Sequence, residues 1–360
     1  MPLYMPVKDA LLVEDMGSTT SSIESSVFDS IPLSLILWLA RPYLAGRTAQ
    51  DAIERAHKIF RKNDFSSTLD ILGEDSTTEE DCQNAVHMYL ELIDLLSQNQ
   101  LSVTEPRRRV TISFKPSMFA AVDPTSGQAK PAELDNAFVR IKKVVDYALE
   151  KKVNMTLEAE DHNWTDFQLE TYFALLKDGY TNLGTVLQSR LFRTRNDIRR
   201  FDERGRVRLV IGIYNEPAEI SHTQKPVMKD LVVEYAGNLI NKGTYVELAS
   251  HDFSCIDNFM AKVAIPQKVL PHQFETQFLL GVPRQKLQEQ LVSGAYFTKL
   301  SGIANSAQKA ILEYYINDGA LVRMYLPYGK DHLAAAYCKR RLKANPNMIA
   351  FGIKNLLHLN

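Results

Sequence analysis

Cysteine is nearly absent from this sequence: Cys82, Cys255 and Cys338 stand far apart, with neither metal-ligand nor redox spacing. That excludes a disulfide framework and fits packed thiols in a reducing compartment. Long apolar runs are also missing. The longest, Ile31 to Ala40, is interrupted by Ser34 and is about half of what a bilayer span requires, so it reads as a packing helix. Residues 1–30 lack the basic start, apolar run and cleavage site of a secretory signal, and the Ser/Thr-rich part from Ser18 to Ser26 reads as flexible. Neither charge sign dominates: the formal net charge is −1, which gives no reason to expect a nucleic-acid partner. No GxGxxG or phosphate-cradling glycine loop occurs, so a nicotinamide-binding fold has little support.

What is present is alternation. From residue 66 onward, short runs of β-branched and apolar residues alternate with longer segments of helical period. The strands predicted are Ser66–Leu72, Arg109–Phe114, Val153–Ala159, Gly184–Ser189, Val207–Ile213, Tyr245–Ser250, Phe274–Leu280 and Leu321–Leu326. Between the first two, Ala85, Met88, Tyr89, Leu92 and Leu95 recur at helical spacing over Glu79–Ser97. Eight strand–helix units in this length favour an α/β fold, a closed (βα)8 TIM barrel over residues 66–360, over a doubly wound sheet. Residues 1–65 form a flexible start and helical extension, and a final helix follows the last strand.

Chemistry in such barrels collects at the C-terminal strand ends. Those ends present Glu74, Lys115, Glu158 with Glu160, Gln188, Tyr214, Ser250-His251-Asp252, Gln277 and Tyr325. In the final helix Tyr337, Arg340 and Arg341 are spaced i, i+3 and i+4, placing a ring and two guanidinium groups on one face. If Lys115, Arg208, Arg340 and Arg341 all point inward, four cations meet at the open end and call for an anion. An outward, solvated Arg208 is equally compatible with the odd-even pattern.

Several stretches resemble the proline dehydrogenase family, in the family's order: Thr68-Leu-Asp-Ile-Leu-Gly-Glu74, Gly184-Thr-Val-Leu-Gln188, Arg208-Leu-Val-Ile-Gly-Ile-Tyr214-Asn-Glu-Pro217, Ala249-Ser-His-Asp252, Phe274-Glu-Thr-Gln277, Tyr325-Leu-Pro-Tyr-Gly329 and Tyr337-Cys-Lys-Arg-Arg341. The resemblance covers about residues 35–355. It implies FAD at the C-terminal face, L-proline or a related cyclic amino acid between flavin and final helix, and a quinone or similar electron acceptor. The location implied is cytoplasmic, and a peripheral contact with the inner membrane would suit a quinone.

Carried over residue by residue, Arg340 and Arg341 pair with the substrate carboxylate and Lys115 assists. Tyr325, Tyr337 and Leu209 wall the ring, and Glu74 helps to close the site. Arg208 lies near flavin N5, Gln188 and Val210 contact the isoalloxazine, and Gly212, Lys225, Ser250 and His251 hold the rest of FAD. The reaction implied is hydride transfer to flavin N5, giving pyrroline-5-carboxylate. Departures from the family pattern are Ile211 for lysine, Glu158 for aspartate, Ser250 for threonine and Ala344 for glutamate. They mark a divergent member and leave open a related cyclic imino acid as substrate, or a barrel that binds a ligand without turnover. A hydrolytic metal site at Glu158, Glu160, Asp161 and His162 is the rival enzyme class; it lacks a second His-rich ligand pair beyond His251, so no metal is expected.

Overall fold

The computed structural model describes residues 36–38, 41–73, 75–123, 125–302 and 304–344, without the side chains of residues 307, 336 and 339–344. Eight parallel strands close into a barrel: β1 (Ser66–Ile71), β2 (Thr111–Phe114), β3 (Met155–Leu157), β4 (Leu183–Gln188), β5 (Arg206–Val210), β6 (Tyr245–Ala249), β7 (Phe274–Leu279) and β8 (Val322–Tyr328). They run in chain order around the axis, and β8 pairs with β1 to close the ring. Each predicted strand is found, with no end shifted by more than three residues. The shifts have local causes. Gly212 takes φ +102°, outside extended backbone, so β5 stops at Val210 rather than reaching Ile213.

The helices form for local reasons as well. Thr48 and Thr78 each start a helix, Ala49–Asn63 and Glu79–Gln98, through a reciprocal capping box with Asp51 and Asp81. The first of these helices buries Ala52, Ile53 and Ala56 in the main core, so the segment before β1 packs as part of the barrel wall. Only Ile36–Trp38 of the predicted helix at residues 31–40 falls among the described residues, and it is helical. An antiparallel hairpin, Val122–Asp123 with Gln128–Ala129, was not anticipated; Gly127 at φ +66° makes its turn.

Two populations of side chains share the strands. Leu69, Ile112, Leu157, Leu187, Val207, Leu248 and Leu326 belong to the apolar core packed against the helices. Alternate residues face the axis, and many of those are charged. At the floor, Arg323 of β8 bonds Glu275 of β7 at 2.6 Å and donates to the carbonyls of Ser67 and Arg109 at 3.0 Å and of Arg107. The Arg107–Arg109 segment is thereby fastened across the N-terminal end of the barrel. Gln277, expected at a strand end, lies inside this network, donating to Glu247 at 2.7 Å and Glu275 at 2.6 Å.

Candidate active site

The pleat decides which predicted residues reach the open end. In β5, Arg206 and Arg208 face the axis, where they pair with Glu247 and Glu158. Val210 shares that face by alternation, and Leu209 does not. Leu209 is fully buried in the apolar core on the helix side, which corrects its expected role as a wall of the substrate ring. The same alternation turns Arg208 inward and removes the solvated alternative.

At the C-terminal end a network of contacts joins six strands. Lys115, just past β2, lies 3.4 Å from Asp70 of β1. Tyr325 of β8 donates to Glu158, just past β3, at 3.1 Å. Glu158 takes Arg208 of β5 at 2.5 Å, and the guanidinium lies over the Tyr325 ring, 5.2 Å from its centroid. Arg208 also reaches Ser113 at 3.2 Å and pairs with Glu247 at 3.4 Å. Lys115, Glu158, Val210 and Tyr325 keep partial solvent access, whereas Arg208, Glu247 and Glu275 are buried.

Burial of so many charges is tolerable because they compensate one another. Burial opposes the charged form of Glu247, yet Arg206, Arg208 and Arg323 together hold its carboxyl below the usual range. Burial likewise works against the Arg208 cation, and Glu158 and Glu247 outweigh it and keep the guanidinium charged. Asp70 goes the other way: burial, reinforced by the Glu158 charge, raises its carboxyl despite Lys115 and a hydrogen bond with Tyr325. Burial next to Asp70 and Glu158 also raises the Tyr325 phenol well above its ordinary value, so it stays a neutral donor.

The expected quartet of uncompensated cations therefore needs correcting. Lys115 and Arg208 already have carboxylate partners in Asp70, Glu158 and Glu247. Asp70 is the residue the sequence reading passed over: it sits in the Thr68–Glu74 motif, and its signal was its alternation with Thr68 on one strand face.

The helix Asp331–Ala344 follows β8 and carries Tyr337 into a small apolar cluster with Ile36, Leu72, Ala334, Ala335 and Cys338. Leu72 lies just beyond β1, so this helix rests against the open end. Arg47 ties its start through Asp331 at 2.6 Å. Tyr337 also contributes to the field at Tyr325, which puts the two phenols in electrostatic reach. Arg340 and Arg341 lie on the helical backbone one turn after Tyr337; their side chains, like that of Ala344 and all of Glu74, fall outside the described residues.

Of the residues expected to hold a cofactor, Gln188 and Gly212 meet. The Gln188 amide donates to the Glu160 carbonyl at 2.7 Å, and its oxygen lies 2.5 Å from where a Cβ on Gly212 would fall. This bare backbone beside a fixed amide, with Val210 two residues earlier, forms a ledge able to hold part of a cofactor. Ser250 accepts the amide of Asp252 at 3.2 Å, and His251 accepts the amide of Leu279 through Nε2 at 3.4 Å, which makes the loop after β6 a second support. Lys225 is exposed at the first position of helix Lys225–Ile240. The acidic cluster weighed as a metal site disperses: Glu158 goes to Arg208, Glu160 to Ser117, and His162 to Glu216 at 2.6 Å, while Asp161 caps helix His162–Lys177.

Comparison with known proteins agrees with this architecture. The family model described as Proline dehydrogenase matches residues 52–351. The proline dehydrogenase of Deinococcus radiodurans is 26% identical over 324 residues, covering 89% of this chain and 91% of the relative. Proline dehydrogenase 1 of Bacillus subtilis is 26% identical over 320 residues, 88% of this chain and 90% of its own length. Among solved structures, proline utilization A from Bdellovibrio bacteriovorus, inactivated by N-propargylglycine, superposes with a TM-score of 0.70 at 20% identity. It covers 87% of this chain, which spans 33% of that larger protein, and the likeness speaks for the barrel fold. A parallel barrel with its charged mouth under a terminal helix, and a family match running from the helix before β1 past that terminal helix, lead to one statement: the chain belongs to the proline dehydrogenase family.

Proposed function

We propose that this chain oxidises L-proline to pyrroline-5-carboxylate with FAD as the immediate acceptor and a quinone-type molecule as the eventual one. FAD, when bound, supplies the ring nitrogen that accepts a hydride. The reading is carried by the Lys115, Asp70, Tyr325, Glu158 and Arg208 chain at the barrel mouth, beneath the helix bearing Tyr337.

The charge balance supports a specific division of labour. Facing the axis, Lys115, Arg206, Arg208 and Arg323 are answered by Asp70, Glu158, Glu247 and Glu275. An incoming carboxylate needs cations beyond these, and Arg340 and Arg341 of the final helix supply them, each guanidinium offering a fork that matches a carboxylate. Lys115 assists: its side chain is 19% exposed and only loosely held by Asp70 at 3.4 Å. Tyr325 and Tyr337 exclude water from the pyrrolidine ring. Arg208, fixed by two carboxylates, presents a constant positive charge toward the Gln188–Gly212 ledge, where it favours an electron-rich ring. Catalysis on this scheme is orientation and electrostatics, and the substrate amine enters already neutral.

Peripheral contact with a membrane would suit a quinone acceptor; no helix of the described residues is long and apolar enough to cross one. The deciding measurement is the visible spectrum of the flavin-loaded protein under anaerobic titration with L-proline, which is expected to bleach the oxidised band. A spectrum that stays oxidised at saturating proline rejects this substrate, and the same titration with hydroxyproline and N-alkylated analogues tests the related cyclic acids.

A further inference from the structure

Glu160 lies two residues beyond Glu158, in the loop between β3 and helix His162–Lys177, and its carboxylate is buried. It bonds a different strand's loop. One oxygen accepts the Ser117 amide at 2.9 Å and the other accepts the Ser117 hydroxyl at 2.7 Å. Ser117, itself buried, belongs to the 3-10 turn Pro116–Phe119, which starts directly after Lys115. Through its main-chain oxygen, Glu160 also takes the Gln188 amide at 2.7 Å.

We propose that Glu160 is a positioning residue for the reaction: its carboxylate latches the turn after β2 and so fixes where Lys115 presents its ammonium, while its carbonyl holds Gln188 against Gly212. The proposal rests on the proline-oxidising reading for the roles of Lys115 and Gln188, and on the geometry alone for the latch. A turn that merely needed capping would be served by a neutral amide, without the desolvation of a buried carboxylate. Two acceptor oxygens on one serine instead define both the height and the rotation of the turn. The groups facing this carboxylate are Lys115, which stabilises its charge, Asp75, which opposes it, and the neutral phenol of Tyr89. Burial, against the two Ser117 donors, pushes the carboxyl up to about 7. The Ser117 N–H and O–H donate to an ionised carboxylate above that value and to a neutral carboxyl below it, so the character of the latch changes near pH 7.

The test compares wild type, E160Q and S117A as flavin-loaded proteins, by two readouts. The first is amide hydrogen exchange over residues 116–119, corrected for intrinsic pH dependence. The second is the affinity for tetrahydrofuran-2-carboxylate, which keeps the ring and carboxylate of proline but has no ring N–H to oxidise. E160Q keeps the main-chain carbonyl and the side-chain volume. It is expected to exchange faster over this turn, to bind the probe roughly tenfold more weakly, and to lose the change near pH 7 that wild type shows; S117A moves both readouts the same way by less. Unchanged exchange and unchanged probe affinity in E160Q overturn the proposal. If E160Q does not fold, S117A with wild-type exchange and affinity overturns it equally. Wild type that fails to bind the probe contradicts the proposed substrate, and the latch is then decided by exchange alone.

Discussion

Replacing Arg208 by methionine keeps the length of the side chain and removes the cation on which the buried Glu247 and the partly exposed Glu158 depend. Glu247 retains Arg206 at 3.1 Å and Gln277 at 2.7 Å, so the anion left stranded is Glu158, whose remaining side-chain hydrogen bond among the described residues comes from the Tyr325 hydroxyl at 3.1 Å. Breaking a buried pair from one side costs about 3–5 kcal/mol. Glu158→Gln is milder, because its amide oxygen still accepts and Glu247 remains 3.4 Å from the guanidinium: about 1–2 kcal/mol, the scale of one hydrogen bond. In the double variant no charge is stranded at position 158, so its cost falls short of the sum by about 2 kcal/mol, the coupling of directly paired groups. Urea unfolding of the wild type, both single variants and the double variant, all flavin-free at pH 7 and constant salt, measures this cycle. Single-variant costs that add to within about 0.5 kcal/mol would refute the claim that Arg208 and Glu158 form one electrostatic unit.

Two further expectations concern the ledge and the lid. Gly212→Ala forces a side chain onto φ +102° with its Cβ 2.5 Å from the Gln188 amide oxygen; the strain, about 1–3 kcal/mol, is expected to lower the flavin-to-protein ratio after dialysis, and full retention would remove Gly212 from the cofactor site. Arg340→Glu and Arg341→Glu each place a negative charge against the substrate carboxylate and are expected to cut proline turnover about 100-fold or more while the flavin stays bound; undiminished steady-state turnover in both removes them from the site.

The barrel was legible because its signal is local. Each strand is a short apolar run between amphipathic segments, and the helix from Asp331 begins where its acidic first turn predicts. Pleat direction was legible in principle and was misjudged at Leu209: carrying three consecutive residues of β5 to one site ignores that a strand sends neighbours to opposite faces. Asp70 escaped notice among Leu69, Ile71 and Leu72, because in a strand buried on both faces a lone acid looks like an interruption rather than the axis-facing member of an alternation. The charge balance could not be read at all. Arg208 finds Glu158 fifty positions away and Glu247 on the neighbouring strand, and periodicity carries no information about which distant acid answers which base.

The knot that Arg323 ties around the carbonyls of Ser67, Arg107 and Arg109 turns the barrel into a cup rather than a tube. On the proposed reading, reactant and product share the rim beside the Asp331–Ala344 helix, and the two ends of the molecule become separable in experiment. Alterations to the stopper should register as loss of folding free energy, and alterations at the rim as changed turnover.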